Sequence, residues 1–350
     1  MLYAIQATGN GHFTRAKEII PILRQYCDLK IMVSGPTNPK LLEYPIDYHF
    51  KGLGFTFGKR GGIDFVKSLK DFRLLRFLTE KNSFEDIAQF DLVINDFEPV
   101  SAWAAYEYGV PCVSLGHQWA ATSKNAPQPR NLGLKDRIGK FVMKWFAPSD
   151  KQYGFHYQSY NEDIFTPIIK DSIQRLKPQN KGHYLVYLPA HAPETICEIL
   201  ANFPEVEWRV FSKFNKEYQE KGSVKLYPFD NEKWIESLAN CEGFLCAAGF
   251  QATAEALYLG KKLMVIPMKN QYEQVCNAVA LSQMGAKTVS TLNKKSIPEI
   301  KDWLDNYSPI YVNYEDHREE LVKKILEEGR PILQEKQAEI PMSWGASQTA

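Results

Sequence analysis

The chain has 350 residues, 44% of them hydrophobic and 24% charged, with a formal net charge of +1. That length exceeds what one core usually organises and points to two domains of an ordinary folded protein, not a disordered or fibrous chain. The near-neutral balance gives no support to general polyanion binding, nucleic acid included, and six scattered cysteines without a CxxC pair argue for buried thiols.

The first apolar run, Met1 to Ala7, is short enough for a buried strand. It ends in Thr8-Gly9-Asn10-Gly11-His12, and Ala16, Ile19, Ile20 and Leu23 then recur at helical spacing. Strand, glycine turn and helix together form an anion-binding corner, because the first helical N–H groups have no partner in the helix. A phosphate cradle has no need of the histidine. Arg15 reads either as a phosphate contact or as a surface arginine of the first turn.

Leu29 to Val33 reads as the next strand, and Asp91 to Asn95 as another, bounded by Asp96. Pro99 to Tyr108 reads as a helix closed by Gly109, and Val110 to Leu115 as a strand with Gly116-His117-Gln118 just past its end. Prolines 148, 167 and 178 then interrupt the rhythm, and 150–182 is expected to be a junction. The alternation restarts with strands at Tyr184–Leu188, Glu207–Phe211, Val224–Tyr227, Gly243–Cys246 and Lys262–Pro267. A helix is expected over 315–333, packing back on the first domain, with a disordered tail over 334–350. Alternating strands and helices in both halves predict an α/β protein with parallel sheets: one domain at 1–149, another at 183–314.

Chemistry concentrates in two blocks. In the second, "CAAGFQATAEALYLGKKLMVIPMKNQYEQVCNA", a strand ends near Cys246, Gly249 opens a helix starting with Phe250, and Glu255 lies within it. After the next strand comes a polar loop carrying Asn270, Gln271, Glu273, Gln274 and Asn277. A helix end suits a diphosphate, and carboxylates and amides suit sugar hydroxyls because they bond in fixed planes.

This block resembles the nucleotide-sugar half of GT-B glycosyltransferases. It is similar to family 28, which includes the GlcNAc transferase of peptidoglycan synthesis, and to the family 1 UDP-glycosyltransferases. The resemblance implies two Rossmann-like domains with parallel sheets facing a central cleft. It assigns the diphosphate to Gly249 and Phe250, the ribose to Glu255, and the donor sugar to Glu273, Gln274 and Asn277. Gly11, whose neighbouring backbone amides suit the donor diphosphate, and His12 match the glycine-rich loop that ends in a histidine, which is the general base toward the acceptor in much of family 1. Two departures stand out. Leu188-Pro189-Ala190-His191-Ala192 occupies the place of a glycine-rich turn, and the sugar-contacting pair is Glu-Gln where the peptidoglycan enzyme has Gln-Gln.

The function implied is transfer of a sugar from a nucleoside-diphosphate donor, a UDP-sugar, to an acceptor hydroxyl by an inverting mechanism. No metal is expected, since helix dipoles can stabilise the leaving diphosphate and the nearest thing to an Asp-x-Asp is Asp96-Phe97-Glu98. No cofactor is implied, the nucleotide sugar being a co-substrate. Asp96 either orients His12 or the acceptor, or caps the helix at Pro99. His117 and Gln118 are candidates for the acceptor side. A sugar-nucleotide epimerase and a non-catalytic nucleotide-sugar sensor are the rival readings.

Two stretches, Lys59–Phe77 and Leu134–Phe146, mix basic with large apolar residues. They read either as helices in an anionic membrane interface or as ordinary helices with one buried face. No basic leader precedes a long apolar run, so the expected location is cytoplasmic, with peripheral contact at the inner face of a membrane left open. The glycine-rich stretch 52–62 is the expected seat of acceptor specificity.

Overall fold

The computed structural model describes residues 1–53, 74–130 and 133–339. The stretches 52–62 and 59–77 fall mostly outside them.

The first half follows the expected alternation. Strand β1 (Leu2–Gln6) leads into α1 (Asn10–Leu23), then come β2 (Lys30–Ser34), β3 (Tyr48–Phe50) and α2 (Leu74–Asn82). Next are β4 (Val93–Asp96), α3 (Pro99–Tyr108), β5 (Cys112–Leu115), α4 (His117–Thr122) and α5 (Leu134–Trp145). The segment 150–182, expected to be a junction, instead continues this sheet with β6 (Lys151–Phe155) and β7 (Ile164–Phe165), followed by the short α6 (Asp171–Gln174). The correction has a physical cause. β6 carries Lys, Gln and Gly among its five residues and is strand only because β5 offers it a parallel edge.

The second half runs β8 (His183–Tyr187), α7 (Pro193–Leu200), β9 (Glu207–Ser212), β10 (Gln219–Lys221) and β11 (Val224–Pro228). It continues with α8 (Asn231–Asn240), β12 (Gly243–Cys246), α9 (Phe250–Tyr258), β13 (Lys262–Val265), α10 (Tyr272–Gln283), β14 (Lys287–Thr288) and α11 (Ile297–Asn306). Last is α12 (Arg318–Glu339), which passes the expected start of the tail at 334.

The sheets have the orders β3-β2-β1-β4-β5-β6-β7 and β10-β11-β9-β8-β12-β13-β14. All pairings within them are parallel except β10 with β11. Central strands such as β1 and β12 are buried along their whole length, as strands covered by helices on both faces must be.

Among the parallel strands of each sheet the order reverses once, between β1 and β4 and between β8 and β12. A crevice opens at such switch points, because the helices leaving the two neighbouring strands go to opposite faces. The residues just past β1, β4, β8 and β12 therefore set the site. α12 returns across the first half, packing on α1, with Arg318 in ion pairs to Glu18 and Asp171.

Candidate functional site

Past β1 the chain turns at Thr8 and Gly9, and α1 begins with no side-chain cap on its first N–H groups. His12 and Arg15 sit three residues apart on one helical face and meet Asp96 at the end of β4. His12 Nδ1 lies 2.8 Å from Asp96 Oδ1, while Arg15 donates from Nε to Oδ2 at 3.0 Å and from Nη2 to Oδ1. Asp96 is fully buried, and Arg15 nearly so. An ionised carboxylate only accepts, so Nδ1 carries the proton and Nε2 is left as the basic nitrogen. Burial by itself would raise the Asp96 pKa, but Arg15 and His12 outweigh it and hold the carboxyl below its ordinary range. The cap of α3 is Glu98, which accepts from the N–H groups of Val100 and Ser101, so Asp96 faces the His12 cluster and not the helix.

Past β12, Gly249 opens α9, again without a side-chain cap, and Thr253 is the first residue whose N–H bonds back into the helix. The N–H groups of Phe250, Gln251 and Ala252 have no partner within it. Neither Gly9 nor Gly249 has a positive φ, and a Cβ on either meets nothing within 4 Å. These glycines keep the helix ends bare; the backbone conformation does not require them. Glu255, one turn into α9, is buried; its Oε1 accepts from Gln251 Nε2 at 2.9 Å and pairs with Lys170 Nζ at 3.1 Å. Both contacts fall on one oxygen, leaving Oε2 for a ligand.

The two halves touch at His117, the first residue of α4. Its ring stacks on Phe250 with centroids 3.8 Å apart and planes 5° from parallel. Nδ1 donates to the Phe155 carbonyl at 2.6 Å, and Nε2 lies 2.7 Å from Asn277 Oδ1. Protonation at both nitrogens satisfies both oxygens. Burial pulls the other way and lowers the pKa, against the opposing charge of Glu273. Gln118 approaches Glu273 at 3.4 Å.

Between the halves lies a cleft of ≈ 1090 Å³. Gly11, His12, His117, Gln118, Gly249, Phe250, Glu255 and Glu273 line it. Asp96 stands behind His12. Gln274 and Asn277 do not line the cleft: Gln274 Oε1 accepts from the Met268 N–H, and Asn277 donates to the Ala248 carbonyl while facing His117. Tyr187, Phe229 and Trp234 add an aromatic wall past β8 and β11. Among the described residues, the non-glycine residues with left-handed backbone are Glu43 (φ 65°), Phe97 (φ 58°) and Asn270 (φ 62°), and all three line this cleft. Conformations that cost of order 1–3 kcal/mol each gather where function holds them in place.

The sequence profile described as glycosyl transferase family 1 matches residues 1–307. The chain belongs to glycosyl transferase family 1. It is a glycosyltransferase of GT-B architecture, two Rossmann-like domains about a cleft. Os79 from O. sativa, solved in complex with U2F and trichothecene, superposes with TM-score 0.57 at 10% identity, over 96% of this chain and 95% of that one. UGT2 of Phytolacca americana, complexed with UDP-2fluoro-glucose and pterostilbene, gives TM-score 0.52 at 15% identity, over 96% and 94%. The glycotransferase of kitacinnamycin gives 0.53 at 14%, over 96% and 94%. At such identities the likeness is one of fold. No curated protein matches the chain in sequence.

Sequence reasoning about this family-1 transferase missed two cleft contacts. Arg15 is not a surface side chain: it is the buried partner of Asp96 and also lines the cleft, and its spacing of three from His12 was the available signal. Lys170 lay in the expected junction and left no signal of its own; it reaches Glu255 only because β6 and β7 carry the chain around the cleft.

Proposed function

We propose that this glycosyltransferase moves a sugar from a nucleoside-diphosphate donor, a UDP-sugar, to an acceptor hydroxyl, with inversion at the anomeric carbon and without a metal ion. The observation that carries the reading is the confrontation of His12, backed by Asp96, with the uncapped start of α9 across one cleft. The acceptor oxygen attacks the anomeric carbon on the face opposite the diphosphate. The new C–O bond forms as the bond to the diphosphate oxygen breaks; that oxygen keeps the electron pair, and the acceptor proton passes to Nε2 of His12.

The bare N–H groups of α9 and its dipole favour the charge that gathers on the leaving diphosphate. Glu255 Oε2 is suited to a ribose hydroxyl and Glu273 to the sugar, each a carboxylate accepting from O–H donors. The aromatic wall of Tyr187, Phe229 and Trp234 offers a flat base a stacking surface. UDP-2fluoro-glucose in the P. americana enzyme supports the choice of a UDP-sugar. Gln274 and Asn277 act on this reading through packing: they hold the loop before α10 and His117.

The test is UDP release from UDP-glucose and UDP-GlcNAc across a panel of hydroxyl acceptors. Acceptor-dependent release, reduced roughly 10²-fold or more in His12→Gln, is the expected result. Interconversion of the donor with no UDP released would mark an epimerase, and donor binding with no turnover on any acceptor would mark a sensor.

A further inference from the structure

Helix α5 is two-sided. Its inner face presents Gly139, Val142 and Met143 to the cleft, and Gly139 lies so close to Tyr272 that a Cβ there would sit 3.2 Å from the Tyr272 Cβ. On the outer face, Leu134 is 76% exposed, Ile138 46%, Phe141 65% and Trp145 54%. Their spacings of four, three and four align them in one stripe along the helix. Phe141 and Trp145 touch at 6.4 Å, so the surface is continuous at that end. Isolated apolar side chains on a surface need no explanation, but four large ones aligned on one helix face do.

We propose that this stripe docks the protein on an anionic phospholipid bilayer. The charge around it chooses the occupant. Between residues 124 and 144 stand Lys124, Arg130, Lys135, Arg137 and Lys144 against Asp136 alone, with Lys140 turned inward to Gln128 and the Tyr272 ring, in a chain whose net charge is only +1. Asp136 is turned back to the Gly133 N–H, whereas Arg137 and Lys144 are exposed beside the stripe. Lipid headgroups of negative charge match that rim, and the Trp145 ring suits the boundary between headgroup and acyl chain.

A second copy of this chain is the poorer occupant. Paired stripes would bring like-charged rims together, and four side chains fall short of the about 800 Å² per partner of a stable interface. The helix lies on the bilayer and does not cross it: no helix among the described residues is long and apolar enough to span a membrane.

Docking this way holds the cleft one helix diameter, about 10–12 Å, from the lipid surface. An acceptor hydroxyl carried on a lipid headgroup is then within reach. That last step rests on the transfer reading above, whereas the docking itself rests on α5 alone.

Flotation with vesicles of phosphatidylcholine, and of phosphatidylcholine mixed with phosphatidylglycerol, tests the proposal, with UDP binding measured on the same proteins. Wild type is expected to float with the anionic vesicles at low salt. Phe141→Ser/Trp145→Ser and, separately, Arg137→Glu/Lys144→Glu are expected to lower the bound fraction roughly tenfold or more, with melting temperature and UDP binding unchanged. Absence of wild-type flotation would overturn it, as would flotation of both variants like wild type. A dimer seen by light scattering that the Phe141→Ser/Trp145→Ser variant dissolves would give the stripe to a second copy instead. Flotation without UDP binding would sustain docking while removing the nucleotide-sugar reading of the cleft.

Discussion

Replacing Asp96 by Asn keeps the shape of the His12–Asp96–Arg15 cluster and removes its only negative charge. Arg15 Nη2 already lies 3.3 Å from His12 Nδ1. While Asp96 is ionised, Nδ1 donates to it and that approach is secondary. Once the carboxylate is gone, Arg15 donates to the Nδ1 lone pair, and the ring proton moves to Nε2. Nε2 is then an N–H and cannot take the acceptor proton. The expected loss in kcat is about 10²–10⁴-fold, the scale of a positioned base, or about 2.7–5.4 kcal/mol on the barrier.

Stability falls as well, because Arg15 is left buried without its counter-charge; breaking such a pair costs about 3–5 kcal/mol. Urea unfolding of both proteins gives that figure, provided the slope is unchanged. The sign with pH follows from the depressed Asp96 pKa. Its contribution is full above the unfolded-state value of about 3.9 and is lost as pH falls through the folded-state value, so the gap between wild type and variant narrows in acid. In the proposed mechanism His12 and Asp96 act as a unit, so His12→Gln/Asp96→Asn should be no slower than the worse single variant. A folded Asp96→Asn enzyme that retains wild-type kcat would refute the reasoning.

Gly249→Ala places a methyl group where nothing lies within 4 Å. The fold is expected to survive with a loss of about 1 kcal/mol at the cap, and calorimetry should show UDP binding weakened about tenfold or more. His117→Phe preserves a ring against Phe250 but leaves the Phe155 carbonyl without its side-chain donor, at about 1–3 kcal/mol by urea unfolding. Chelation by EDTA is expected to leave UDP release unchanged, because the proposed leaving-group stabilisation comes from backbone N–H groups; loss of activity restored by a divalent ion would contradict it.

What could be read from the sequence was what is local. Met1–Ala7, the glycine turn and the start of α1 were legible because burial on both faces and helical spacing are written in consecutive residues; the same holds for Gly243–Cys246 and α9. Strands β6 and β7 were not, since their strand state comes from a neighbouring edge. The pairing of Arg15 with Asp96 spans 81 positions and exists only because β1 and β4 are adjacent at the switch point. The resemblance assigns Gln274 and Asn277 to the donor sugar, but a motif does not say which face of α10 turns inward, and Gln274 Oε1 and the Asn277 amide make internal hydrogen bonds.

A crystal structure of the protein soaked with UDP examines the central claim directly. The diphosphate is expected within hydrogen-bond distance of the Phe250 and Gln251 N–H groups, with His12 Nε2 open to the space beyond it on the first-half side. A nucleotide bound away from the start of α9, or phosphates held by side chains of the first half alone, would contradict the account.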